Sequence, residues 1–152
     1  FNKNHLSRMI PLVKERVEKF SDVVPMLSFM FSGMPILQEA SFEHKKLDNE
    51  SVRQILQYSS WRLDTVTEWT RDNLYQELNQ IAVSLNLKLK DFLFPLFIGV
   101  VGAPSGPPLF DAMSILGPDI VRARLRSALV AAGGASKKQL KQWESDYRQQ
   151  AK

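Results

Sequence analysis

From Ile10 onward, apolar residues return every third or fourth position, and that period restricts the chain to helices packed on helices. The first stripe is Ile10, Val13, Val17, Phe20, Val24, Leu27 and Phe31. Pro11 suits a first helical turn, whereas Pro25 interrupts the run, so two helices broken near Val24 are expected. Ser32, Gly33 and Met34 then stop the pattern. A second helix follows Asp48 or Asn49 as cap and turns Val52, Ile55, Leu56 and Leu63 inward. A third begins at Thr70, carries Asp72 in its first turn and buries Leu74, Leu78, Ile81 and Leu85. Lys90 to Val101 is apolar almost all round and predicts a buried helix, with Pro95 kinking it or marking a late start. The run Gly102-Ala103-Pro104-Ser105-Gly106-Pro107-Pro108 cannot be helical. A short helix with Leu109, Phe110, Met113 and Leu116 ends at Gly117. Pro118 opens another, with Val121, Leu125, Ala128 and Leu129 inward. After Gly133-Gly134, Ser136 caps a last polar helix holding Leu140, Trp143 and Tyr147. No useful β alternation and no fixed repeat interrupts this order. The expected fold is all-α, with two small helical subdomains, 1–66 and 67–152, meeting around residues 64–70; Trp61 and Trp69 are expected to pack there.

The side-chain inventory excludes much catalytic chemistry. Among 152 residues there is no cysteine and there are two histidines, His5 and His44. Disulfides, thiolate nucleophiles and cysteine-ligated metals are ruled out, and a histidine-based triad or metal centre is hard to assemble. No phosphate-cradling Gly-Lys-Ser/Thr loop, Gly-x-Ser-x-Gly elbow or His-Glu-x-x-His motif occurs. Glu39 and Glu43 lie four apart in a segment of uncertain helicity and fit a solvated pair; His5 and His44 fit surface positions. The expectation is a chain with no catalytic residue and no metal ligand of its own. The longest nearly apolar run, Phe92 to Pro104, falls short of the roughly 18 residues that span a bilayer. With a polar opening and no cysteine, a cytoplasmic chain without membrane contact is expected. Because it opens with Phe1, it is expected to be a piece of something longer.

Charge is uneven. Residues 1–117 carry a net −1, and residues 118–152 a net +5, through Arg122, Arg124, Arg126, Lys137, Lys138, Lys141, Arg148 and Lys152. A basic end on a near-neutral body suits a polyanion, although a solvated helix face has the same composition.

One series of segments is specific in order and spacing. Phe1-Asn2-Lys3-Asn4-His5-Leu6 opens the chain. Trp69-Thr70, Lys90-Asp91-Phe92 and Pro95-Leu96-Phe97-Ile98-Gly99-Val100-Val101-Gly102 follow, then Gly106-Pro107-Pro108-Leu109-Phe110-Asp111 and Leu116-Gly117. Together, over almost the whole chain, they resemble the carboxy-terminal anticodon-binding region of bacterial-type glutamyl-tRNA synthetases. The resemblance implies a two-part all-α cage that grips the anticodon loop of tRNA-Glu. It also implies a parent that joins glutamate to that tRNA with ATP and magnesium, in a catalytic domain joined in cis and absent from this chain. A monomer is expected.

The resemblance places anticodon contacts on Gly106, Pro107 and Leu109, and the chemistry of the loop agrees with it. Loop bases of RNA are recognised splayed apart, along their edges. Glycine lets backbone approach a base, and proline lowers the entropy lost on binding. Arg16, beside Val17 in the first stripe, aligns with the arginine that reads the third anticodon base. A guanidinium has donors only, so it favours cytosine, whose N3 and O2 accept, over uracil, whose N3 carries a hydrogen. An unpaired buried donor costs about 1–3 kcal/mol, enough to help separate tRNA-Glu from tRNA-Gln. Phe97 stands where the family often has arginine; it can stack on a base or pack, but cannot hydrogen-bond. The helical stretch usual before the long first helix is either shortened or missing here, since Met9 runs straight into Ile10. Arg122, Arg126, Lys137 and Lys141 are the expected phosphate contacts. Arg122, Arg124 and Arg126 cannot share one helix face, so one is expected to lie over the core or pair with Asp119. Two other readings fit the same residues: a helical scaffold that has lost tRNA reading, favoured by Phe97, and a nonspecific nucleic-acid binder using the basic tail.

Overall fold

The first helix of the computed structural model, which describes residues 35–150, starts at Asp48 for a local reason. The Asp48 carboxylate accepts from the Ser51 N–H at 2.7 Å, satisfying one of the donors that a helix start leaves open. Helix α1 then runs Asn49–Leu63, after a short 3₁₀ turn over Glu39–Phe42. Thr70 repeats the device for α2, Arg71–Ser84, accepting from Asn73 N–H at 3.3 Å. Helix α3 spans Leu89–Val101, α4 Leu109–Leu116, α5 Pro118–Ala131 and α6 Lys137–Gln150. Before α6, Ser136 and Gln139 cap each other: Gln139 N–H donates to Ser136 Oγ at 3.1 Å, and Ser136 N–H to Gln139 Oε1 at 3.3 Å. No strand occurs among the described residues, and the all-α expectation holds.

The inward residues are those the period selects. Val52, Ile55, Leu56 and Leu63 of α1, Leu74, Leu78 and Ile81 of α2, and Val121, Leu125 and Ala128 of α5 are buried. Leu85 and Leu129 are half-buried against the same core. Pro95 sits inside α3, buried, without ending it. Helix α5 is the hub and packs on α1, α3 and α4, while α4 also packs on α2. At the α3–α5 crossing a Cβ on Gly99 would stand 3.0 Å from Ala128 Cβ and 3.3 Å from Leu125 Cδ2, so the absent side chain is what lets the helices approach. One hydrophobic core runs from Phe42 to Trp143 and is continuous across residue 66, with α1 packing on both α2 and α5. Trp69 belongs to it and donates its indole N–H to the Met113 carbonyl at 2.8 Å. The predicted helices between Ile10 and Phe31, and Arg16 with them, lie outside the described residues.

Two polar residues are placed less blandly than the sequence suggests. His44 is not a simple surface residue. Its ring lies 4.8 Å from that of Phe94, and Nδ1 accepts from the Lys46 N–H at 3.1 Å. Its Nε2 is 3.7 Å from Asp91, a largely buried carboxylate in the first turn of α3 that Lys46 approaches to 3.9 Å. Arg62 is the other. It donates to Tyr147 Oη at 3.0 Å, Glu77 Oε2 at 2.9 Å and Gln80 Oε1 at 2.9 Å, joining α1, α2 and α6.

Candidate nucleic-acid interface

The loop between α3 and α4 is built by its glycines and prolines. Gly102 ends α3 at φ +85°, a left-handed conformation that side chains resist, and its N–H donates back to Ile98 O at 2.9 Å and Phe97 O at 3.2 Å. Pro35 lies against it, 3.2 Å from where a Cβ would stand. Pro104 and Ser105 are exposed and Gly106 is half-buried, with Val101 Cγ1 only 3.3 Å from its Cβ direction. Pro107 and Leu109 are buried, Leu109 at the first position of α4. Of the residues marked for anticodon contact, Phe97, Gly106, Pro107 and Leu109 therefore converge on one loop and its root. The side chains of Pro107 and Leu109 are spent on the core. What the loop offers a partner is its backbone together with Pro104 and Ser105. Phe97 is half-buried and packs against the core.

The basic residues separate into three kinds. Arg122 bridges elements of the fold: it donates to the Leu63 carbonyl at 3.1 Å and pairs with Asp64 at 3.2 Å, closing the end of α1. The acid that Arg122 meets is thus Asp64 rather than Asp119. Arg124 is buried, with 4% of its surface exposed, and donates to the Val100 carbonyl at the end of α3. Burial pushes its guanidinium pKa down, because removing water penalises the charged form. Arg126, Lys137, Lys138 and Lys141 are exposed. Since Val100 meets Arg124 while Gly99 lies by Leu125 and Ala128, α3 runs toward the beginning of α5, and the loop emerges on that side. Lys137 and Lys141 follow the other end of α5, a helix about 21 Å long at 1.5 Å per residue. Among the described residues no group of three or more His, Cys, Asp or Glu could hold a metal, and no helix is long and apolar enough to cross a membrane.

The sequence reasoning missed Arg53. It donates to Gly134 O at 2.9 Å and Gln139 Oε1 at 3.0 Å and lies 5.7 Å from the centre of the Trp143 ring, holding the turn into α6. Its local bond to Asn49 Oδ1 at 2.7 Å does not announce this role, because the partners that hold the turn lie more than eighty residues away.

These elements form an all-α domain with a Pro/Gly loop between α3 and α4 and exposed lysines on α6. The family model for the anticodon binding domain matches residues 1–129, and this chain belongs to that family. Helix α6 lies beyond the matched part. The chain is 41% identical over 147 residues to the glutamate–tRNA ligase of Marinobacter nauticus, covering 97% of this chain and 30% of that protein. It is 42% identical over 148 residues to the ligase of the same name from Alcanivorax borkumensis, again covering 97% and 30%. With that of Pseudomonas aeruginosa it shares 43% over 143 residues, 94% of this chain and 29% of that protein. The chain thus spans about three tenths of the length of these curated relatives. A crystal structure of a glutamate tRNA ligase from Elizabethkingia meningosepticum in complex with its amino acid has the same fold. Its TM-score is 0.72 at 18% identity, over 86% of this chain and 25% of that one.

Proposed function

We propose that the chain is the anticodon-recognising module of a glutamate–tRNA ligase, binding the anticodon loop of tRNA-Glu, with glutamate activation by ATP and magnesium carried out by a catalytic domain in cis. The observation that carries this reading is identity above 40% to ligases of that name along nearly the whole chain. The loop geometry supports it: a Pro/Gly loop pinned at both ends presents backbone to a base with little entropy left to lose. Gly106 and the backbone of Pro107 and Leu109 approach the bases, Phe97 supports the loop root, and Arg16 reads the third base. Arg126, Lys137 and Lys141 meet phosphates; Arg122, already committed to Leu63 and Asp64, contributes to the fold instead. The module works as a monomer in the cytoplasm.

A filter-binding titration with tRNA-Glu and tRNA-Gln transcripts tests this. Preference for tRNA-Glu, lost on Arg16→Ala, is the expected result. Lys137→Ala with Lys141→Ala weakens both tRNAs alike and lowers the salt slope by roughly one unit for each phosphate no longer neutralised. The packing of Phe97 on the core favours a second reading, a scaffold that no longer reads RNA, and absence of binding at low salt would establish it.

A further inference from the structure

Arg124 is the one arginine among the described residues that is almost wholly withdrawn from solvent, and one of its hydrogen bonds goes to a helix end. The last carbonyls of α3 have no partner within the helix. Ile98 and Phe97 are served by the Gly102 N–H. Val100 could be served by continued helix only through the N–H of residue 104, and residue 104 is proline, which has none. Arg124, arriving from α5, donates Nη1 to that carbonyl at 2.6 Å. A cation at a helix C-terminus also opposes the partial negative charge gathered there. The neighbouring contact, Gly99 on Ala128 and Leu125, fixes the height at which α3 meets α5, so the guanidinium meets Val100 at a set position. Two residues later the exposed loop begins.

We propose that Arg124 is a positioning residue for the 102–108 loop: it supplies the hydrogen bond that Pro104 cannot give to Val100, and thereby sets the direction in which the loop leaves α3. Arg124 itself touches no RNA. Its consequence for tRNA affinity rests on the reading of this loop as the anticodon contact, while its consequence for loop order does not.

The test uses the whole chain as wild type, Arg124→Met and Arg124→Lys. Methionine keeps apolar bulk without a donor, and lysine restores a charged donor. Amide hydrogen exchange is followed at Val101, Gly102 and Ala103 and across α1 and α2, and affinity is measured for the anticodon stem-loop of tRNA-Glu. In Arg124→Met, exchange at the end of α3 should rise about tenfold while α1 and α2 keep their protection, because the opening is local. Affinity should fall by roughly tenfold, the scale of one charge-assisted hydrogen bond removed. Lysine should recover most of both. Exchange that rises evenly through every helix, or stays unchanged at Val101 to Ala103, overturns the assignment. Should Arg124→Met not fold, Arg124→Gln decides alone: its amide stops short of the Val100 carbonyl, so exchange rises at Val101 to Ala103 while α1 and α2 keep their protection if the bond matters, and stays at the wild-type level if it does not. A loosened loop with undiminished affinity, in a wild type that prefers tRNA-Glu, removes the positioning role in recognition. A loosened loop in a wild type without that preference removes the tRNA reading and leaves the structural assignment standing.

Discussion

Helices α1 to α5 hold together differently from the way α6 is held to them. Buried residues of α1 and α5, which pack on each other, are chiefly apolar: Val52, Ile55 and Leu56 on one, Val121, Leu125 and Ala128 on the other. Helix α6 buries Trp143, rests Leu140 half-buried on the core, and is otherwise fastened by long polar and aromatic side chains. Tyr147 lies 5.3 Å from the ring of Tyr58 and 5.5 Å from that of Trp61, and accepts a hydrogen bond from Arg62. Arg53 holds the turn before α6, and Asn49 Nδ2 donates to the Ala132 carbonyl at 2.8 Å. Apolar burial is non-directional and spreads over many neighbours, whereas a latch of arginines depends on a few placed atoms. The body should therefore unfold as one unit, and α6 should be able to leave without it.

The largest effect belongs to the body. Phe92 has no exposed surface, and Phe92→Ala should cost about 3–5 kcal/mol through lost transfer energy and a cavity. Urea unfolding should show the whole transition moving, α6 included, and a shift below about 1 kcal/mol would mean that the site is not core. Next comes the latch. Arg62→Met removes its bonds to Tyr147, Glu77 and Gln80 and should weaken α6 docking by about 1.5–3 kcal/mol. Amide exchange should accelerate over 137–150 and change little in α3 and α5. Equal acceleration everywhere would erase the distinction between body and α6.

The unequal legibility of these two regions follows from the same physics. Periodicity located each described helix, because an apolar stripe is a local consequence of burial, and caps such as Asp48, Thr70 and Ser136 act within three residues of themselves. Four of the residues expected at the anticodon lie within thirteen consecutive residues around one Pro/Gly run, so their nearness is legible in the sequence itself. What could not be read is the destination of long cationic side chains. Arg122, Arg124 and Arg126 look alike in sequence, yet one bridges to Leu63 and Asp64, one is buried on Val100 and one is exposed. The first two outcomes depend on partners many residues distant. His44 escaped for the same reason: nothing near it announces Asp91 or Phe94.

A smaller effect has the opposite sign. Ser59 is fully buried on α1 and its hydroxyl has no hydrogen-bond partner among the described residues, the body's one such fault on that helix. Ser59→Ala removes the unsatisfied oxygen and should stabilise the body by about 1 kcal/mol. A thermal melt that rises, with α6 exchange unchanged, sharpens the contrast; a fall would mean that the hydroxyl is satisfied after all.

The smallest effect tests whether the body answers to pH through its cap. The Asp48 carboxyl is held below its usual value of 3.8, first by the hydrogen bond from Ser51. A lowered folded-state value means that the unfolded chain takes up the proton first as pH falls. The cap's contribution is complete above 3.8 and is lost as pH drops through the folded-state value. Asp48 is exposed, so the change is modest, below the roughly 1 kcal/mol typical of removing a cap altogether. Asp48→Asn keeps an oxygen acceptor and discards the titration. Comparing urea midpoints of wild type and Asp48→Asn from pH 6 downward isolates it: the wild type should lose the extra stability progressively below pH 3.8, and the gap between the two curves should narrow there. Curves that stay parallel would show that the Ser51 bond does not discriminate between the charged and neutral carboxyl, and that α1 begins where it does for the sake of its apolar face alone.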